Sequence, residues 1–455
     1  MPFLNKYLLP AILITALVSL SCDKAASNLT DANFKCIDGL AQERYPCENI
    51  DMYAKVSPQQ LGGFESNDIW GWTDPQTNKE YALVGMTDGV SFVDVSDPNN
   101  PVVVGYLPES ILSNAKMKAN PDSYDACAIG IGDTEKSKSL KQGSTWRDVK
   151  VYQNHAFVVK DYSSFSPQPH GMQVFDLTKL RNFEDEAIVF SEDILYTGIG
   201  NAHNIVINEQ TGFAYAVGVK EAEVCATSGL HIIDIRDPKN PTYAGCYEDT
   251  TPPRRFSNSA YIHDAQCVVY EGPDSDYSGK ELCFSSAERS IVIADVSDKE
   301  NPVTIGFNGE TEMEYSHQGW LTEDHSFFLM NDELDEPNLG RGTKTFIWNI
   351  EDLEDPKFVG HYTHNTSSID HNLYIKGGIV YQTNYTSGLQ VLKMDNLANA
   401  TLSRIAFFDT KPGLETSDIR NGAFSGAWSS YPYFESGIII VSDIEDGLFI
   451  LKPNF

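Results

Sequence analysis

Five short segments put a chemically capable side chain at equivalent points along this chain: Trp146-Arg147-Asp148-Val149, Ala202-His203-Asn204-Ile205, Ile262-His263-Asp264-Ala265, Ser316-His317-Gln318-Gly319 and Asp370-His371-Asn372-Leu373. Four of the five carry His at the same place, and Arg147 holds that place in the first. Neutral imidazole is a ligand for Zn, Cu, Fe or Ni, so His203, His263, His317 and His371 are candidate ligands of a transition metal. Asp148, Asp264 and Asp370 are candidate acceptors that would fix the imidazole tautomers, or with Arg147 bind a ligand. The same pattern also suits a structural network in which each His ties its strand to the neighbouring turn, and spacing alone supports both readings. The chain has no Gly-x-Ser-x-Gly elbow, phosphate-binding glycine loop or Cys-x-x-Cys-His haem site. No catalytic residue is assigned.

Elements that could bring these residues together follow from a longer repeat. A stretch of the form Gly, apolar, any residue, two apolar, Asp, apolar occurs as Gly89-Val90-Ser91-Phe92-Val93-Asp94-Val95 and six more times, starting at 171, 229, 290, 344, 388 and 447. In the last two copies Lys393 and Lys452 replace the Asp. Units of this size, each with several alternating apolar runs, predict an all-β fold, a seven-bladed β-propeller. In the fifth unit the expected strands are 318–322, 327–331, 345–350 and 357–362. First strands line a propeller's central tunnel, so the four His should form an arc around one mouth.

The seventh unit stops at Phe455, after its third strand. The run Ile50-Asp51-Met52-Tyr53-Ala54-Lys55-Val56 has the length and alternation of an outer strand and is expected to complete that blade, closing the ring at residues 49–455. Residues 108–145 read as a loop inserted between the first two blades. The run Asp332-Glu333-Leu334-Asp335-Glu336 is rich in oxygen ligands but lacks calcium-loop spacing, and is expected to be a solvated acidic loop.

Residues 1–21 read as a signal peptide: Lys6, an apolar run from Tyr7 to Leu20, then Ser21 before Cys22. Cys22 is the candidate lipidation site, and 22–48 the tether with its Cys36/Cys47 segment. Ordinary cleavage after Ser21, giving a secreted protein, is the alternative. The 8 Cys fit an oxidising compartment. Cys36 with Cys47 would staple the N-terminal segment; Cys267 with Cys283 would face each other across a hairpin, leaving Cys225 with Cys246, although two crossed pairings of these four stay open. Cys127 is left over. With 33 basic against 64 acidic residues and a net charge of −31, the chain has no basic stripe for nucleic acid.

At Tyr45-Pro46-Cys47, Gly229-Leu230-His231-Ile232-Ile233-Asp234, His263-Asp264-Ala265-Gln266-Cys267, His317-Gln318-Gly319-Trp320-Leu321 and Asp370-His371-Asn372-Leu373-Tyr374 the chain resembles the LVIVD-repeat proteins of the choice-of-anchor B family. The resemblance implies a shared domain fixed to the cell surface either by an N-terminal lipid or by a C-terminal sorting region. Ending at Phe455, this chain fits the lipid-anchored kind, a lipoprotein of the bacterial cell envelope tied to the membrane through Cys22. The resemblance carries no activity. The expected function is a surface-displayed binding or scaffold domain for a protein or glycan ligand; the alternative is a metalloprotein, an oxidoreductase or hydrolase, using the His arc.

Overall fold

The computed structural model describes residues 34–110, 143–163, 168–220, 222, 224–225, 229–248, 261–414 and 424–455. The signal peptide, Cys22, most of the insertion and Cys127 lie outside them. The described strands form seven sheets, each running outward from an inner strand. In the fifth blade the order is Ser316–Leu321, Phe327–Asp332, Lys344–Asn349 and Lys357–Thr363. Third strands are buried on both faces, as Gly89–Asp94 and Lys344–Asn349 show, because every sheet is sandwiched between two others. Trp348, Phe346, Phe328 and Phe284 are fully buried together between the fourth and fifth blades.

The repeated Asp is a turn device. Asp94, Asp234 and Asp295 each end a third strand and accept through Oδ1 from the backbone N–H two residues on, at 3.0 Å. This Asx turn directs the chain into the outer strand. Where Lys393 and Lys452 replace it, the third strands run on, as Leu389–Asn396 and Gly447–Pro453. Glycine is required at Gly245 and Gly306 in the outer strands for a different reason. A Cβ at Gly245 would overlap the Lys299 carbonyl, and one at Gly306 the Leu353 carbonyl, where the next blade's turn comes close.

The strand Ile50–Val56 lies antiparallel on Gly447–Pro453 as the fourth strand of the seventh blade. Immediately before it, Tyr45–Glu48 pairs with Thr401–Phe408 and Leu40–Ala41 pairs with Tyr45–Glu48, so the N-terminal segment extends the sixth blade and then completes the seventh. Disulfides join Cys36 to Cys47, Cys225 to Cys246 and Cys267 to Cys283. Cys267 and Cys283 are directly opposite each other in neighbouring strands. Among the described residues no helix is long and apolar enough to cross a membrane.

Candidate metal centre at the tunnel mouth

Successive inner strands neighbour one another around the axis, which stacks their first residues into a ring. His203, His263, His317 and His371 follow each other with ring centroids 4.2, 4.1 and 4.3 Å apart. The sequence makes these residues equivalent. Their hydrogen bonds do not.

His263 Nδ1 lies 2.8 Å from the His317 carbonyl oxygen, His317 Nδ1 3.1 Å from that of His371, and His371 Nδ1 2.6 Å from that of Trp428. A carbonyl can only accept, so each Nδ1 carries the proton and donates, leaving Nε2 with a lone pair. Burial pushes the pKa of His371 down to about 3, and burial with the neighbouring imidazoles pushes His263 and His317 well below the ordinary value. These three rings stay neutral at physiological pH, the state a metal requires. His203 differs, because its Nδ1 is 3.0 Å from Asp161 Oδ2.

The carboxylate that faces the lone pairs is Glu333. Its Oε2 is 3.8 Å from His317 Nε2 and its Oε1 is 3.8 Å from His371 Nε2. Tyr385 Oη donates to Oε1 at 2.8 Å and holds the carboxylate in place. Burial raises the Glu333 pKa to about 7, a cost that a bound cation would remove. The residues suit a first-row ion: the three donor atoms all lie within 4.8 Å of one another, and each imidazole Nε2 is 3.8 Å from a Glu333 oxygen, less than twice a metal–ligand bond of about 2.0–2.2 Å. Two His and one carboxylate suit Zn or Fe(II).

The three Asp residues do not orient the imidazoles. Asp148 accepts from Val149 N–H at 2.7 Å and Lys150 Nζ at 2.6 Å, and through Oδ2 from Ile205 N–H in the next blade at 2.8 Å. Asp264 accepts from Ala265 N–H at 2.7 Å, and Asp370 from Asp332 N–H at 3.2 Å. The tautomer-fixing role falls to backbone carbonyls because adjacent inner strands bring each His Nδ1 to the main chain of the next blade. Asp68, Asp148 and Asp264 instead form a layer one residue along the inner strands, facing the Lys150 ammonium; burial raises Asp68 to about 7 and Asp264 to about 8. Arg147 is fully buried and donates to the Met86 carbonyl at 3.0 Å and to Glu109 at 3.1 Å, with His170 Nε2 3.1 Å from its Nη1, so it joins the first two blades.

Glu333 was legible only as part of the acidic run. Its loop joins the second and third strands of the fifth blade, and such loops lie at the same end as the starts of the inner strands. That is the signal that could have singled it out. The run as a whole is not a solvated loop, since Asp332, Asp335 and Glu336 are fully buried.

Fold and site together define a seven-bladed propeller with an imidazole-lined tunnel mouth. Within that class the chain carries LVIVD repeats: the family model for the LVIVD repeat matches residues 78–107 and 199–249. No curated protein matches it. Similar solved structures include a protein from Lactobacillus plantarum, with 10% identity, TM-score 0.45, and coverage of 83% of this chain and 88% of that one. Another is described as a putative 6-phosphogluconolactonase from Bacteroides fragilis, also with 10% identity and TM-score 0.45, covering 83% and 87%.

Proposed function

We propose that this protein is a cell-envelope lipoprotein of the choice-of-anchor B kind, anchored through Cys22, whose propeller is a ligand-binding domain with a divalent metal at its tunnel mouth. The observation that supports the metal is the pair of imidazoles with Nδ1 tied to carbonyls and Nε2 3.8 Å from the Glu333 carboxylate. His317, His371 and Glu333 hold the ion, and Tyr385 orients Glu333. Such an ion supplies Lewis acidity toward an oxygen-bearing ligand. On the loops at the same end, Phe64, Trp146, Tyr162 and Phe424 are exposed aromatic side chains, a residue type that protein and glycan ligands pack against.

The test is elemental analysis of the protein expressed from Asp23, before and after incubation with first-row divalent ions, beside His317→Ala/His371→Ala and Glu333→Gln. The parent is expected to hold one equivalent, the double variant none, and Glu333→Gln, which loses the charged ligand, to bind markedly more weakly. A parent that takes up no ion, or a folded double variant that keeps it, overturns the metal reading. The anchor is tested separately. Cys22→Ser should move the full-length protein from the membrane to the soluble fraction, and unchanged membrane retention would refute lipidation at that residue.

A further inference from the structure

The N-terminal segment that closes the ring also builds a small hairpin outside it. Ile37 and Leu40 exchange both backbone hydrogen bonds, each N–H donating to the other's carbonyl at 3.0 Å, around Asp38 and Gly39 at φ 52° and 83°. Two positive φ values in an Asp-Gly pair make a type I′ turn, whose geometry asks nothing apolar of the residues on either side. Those residues are apolar nonetheless, and as a directly opposed pair their side chains share one face. Ile37 is 65% exposed, the most of any large apolar side chain among the described residues, and Leu40 is 41% exposed. The tip is held rigidly. Cys36 is bonded to Cys47, Cys47 N–H donates to the Gly39 carbonyl at 3.0 Å, and Cys36 N–H donates to Asp51 Oδ1 at 2.9 Å. Phe455, also exposed, stands on the same outer edge, because Asn454 N–H donates to the Asn49 carbonyl at 2.9 Å.

We infer that the stapled Ile37-Leu40 hairpin is a membrane-contact surface that lays the outer edge of the sixth and seventh blades on the lipid bilayer, an inference that rests on the anchor at Cys22. Position favours a bilayer over any other occupant. Cys22 stands twelve residues before Phe34, which bridges to Met52, and a chain of that length spans at most about 40–43 Å. The exposed apolar pair therefore lies on the part of the propeller that the anchor leads into. Charge favours it too. In a chain with 33 basic and 64 acidic residues, the segments 34–56 and 447–455 together carry four of each, so this edge is not repelled from lipid headgroups as the rest of the surface is. Exposed Arg44, whose guanidinium lies 5.0 Å from the Tyr45 ring, is on the same segment to meet lipid phosphates. A few apolar side chains partition weakly by themselves, but an acyl chain on the same molecule supplies the effective concentration that makes a weak second contact persist.

The test places a fluorescent reporter at the tip. The protein expressed from Asp23 carries an N-terminal hexahistidine and is held on phosphatidylcholine vesicles containing nickel-chelating lipid, with or without brominated acyl chains that quench tryptophan on contact. This supplies a tether whether or not Cys22 is acylated, so a failure of the anchor, read by fractionation of Cys22→Ser, is separate from a failure of the docking surface. Ile37→Trp is compared with the parent and with Val303→Trp, an equally exposed position on the outer strand of the fourth blade. The fluorescence added by Ile37→Trp should shift to the blue on vesicles and be largely lost with brominated lipid, while that added by Val303→Trp keeps its intensity. Equal quenching at both positions would mean that the propeller has no preferred face, and no quenching at either that it stays clear of the bilayer; both overturn the proposal. A blue shift of Ile37→Trp that grows with protein concentration in lipid-free solution would show that a second copy covers the hairpin, and would overturn it equally.

Discussion

Deleting residues 34–58 from the protein is expected to abolish its cooperative unfolding transition. The deletion takes away the fourth strand of the seventh blade, whose ladder partners run from Ile50 opposite Pro453 to Val56 opposite Leu448. Ile50, Met52 and Val56 are at most 2% exposed, and at about 1.5–3 kcal/mol each their burial contributes about 5–9 kcal/mol. That is of the same order as the whole stability of a typical domain, about 5–15 kcal/mol. The loss is wider than one strand, because Tyr45 packs on Phe408 of the sixth blade and on Phe449 of the seventh, with centroids 5.7 and 5.6 Å away. The exposed edge of Gly447–Pro453 would also invite pairing with other chains. Circular dichroism melting, repeated with a synthetic peptide of residues 45–58 added, gives the readout. Recovery of the transition by the peptide supports closure by this strand; a truncated protein that melts like the parent refutes it.

Asp264→Asn is expected to stabilise the protein, and to do so increasingly as pH rises. Burial raises the Asp264 pKa from 3.8 to about 8, so the folded state keeps a proton that the unfolded chain has already released. Stability from this group is therefore complete below about pH 4 and is lost progressively up to about pH 8, the reverse of a salt-bridged carboxylate. Asn keeps the acceptor for Ala265 N–H and has no charge to bury. At 1.36 kcal/mol per pH unit the gain over the parent should be about 3 kcal/mol larger at pH 8 than at pH 5. Taking the difference between variant and parent cancels the other titrating groups, including the buried histidines, whose depressed pKa values act with the opposite sign. Denaturant titrations at the two pH values measure it, and a pH-independent difference would show that Asp264 is ionised in the folded protein.

The architecture was open to reading because it is written in local periodicity. Seven copies of one strand-and-turn pattern require seven sheets, and each copy's burial on both faces requires neighbours. In the fifth blade the expected strands 318–322, 327–331, 345–350 and 357–362 differ from the observed ones by a residue or two at their ends. The Asp in the repeat was visible as a residue, but its work as an Asx turn needed the backbone. The glycines of the outer strands had no local explanation, since what forbids a side chain at Gly245 is a carbonyl more than fifty residues away in sequence.

By itself the sequence determined the blade count, the position of every third strand and the presence of four equivalent histidines on successive inner strands, all of which depend on residue type and period. Tertiary structure decided how those histidines differ: His203 turns to Asp161, while His317 and His371 share Glu333. It also decided that Asp148 and Asp264 join a tunnel layer rather than the imidazoles, and that an acidic run fit for solvent is instead enclosed between two blades. The physical reason is the same in each case. Spacing along a strand fixes which residues reach the mouth, but hydrogen-bond partners, desolvation and charge depend on what the neighbouring blade places against them.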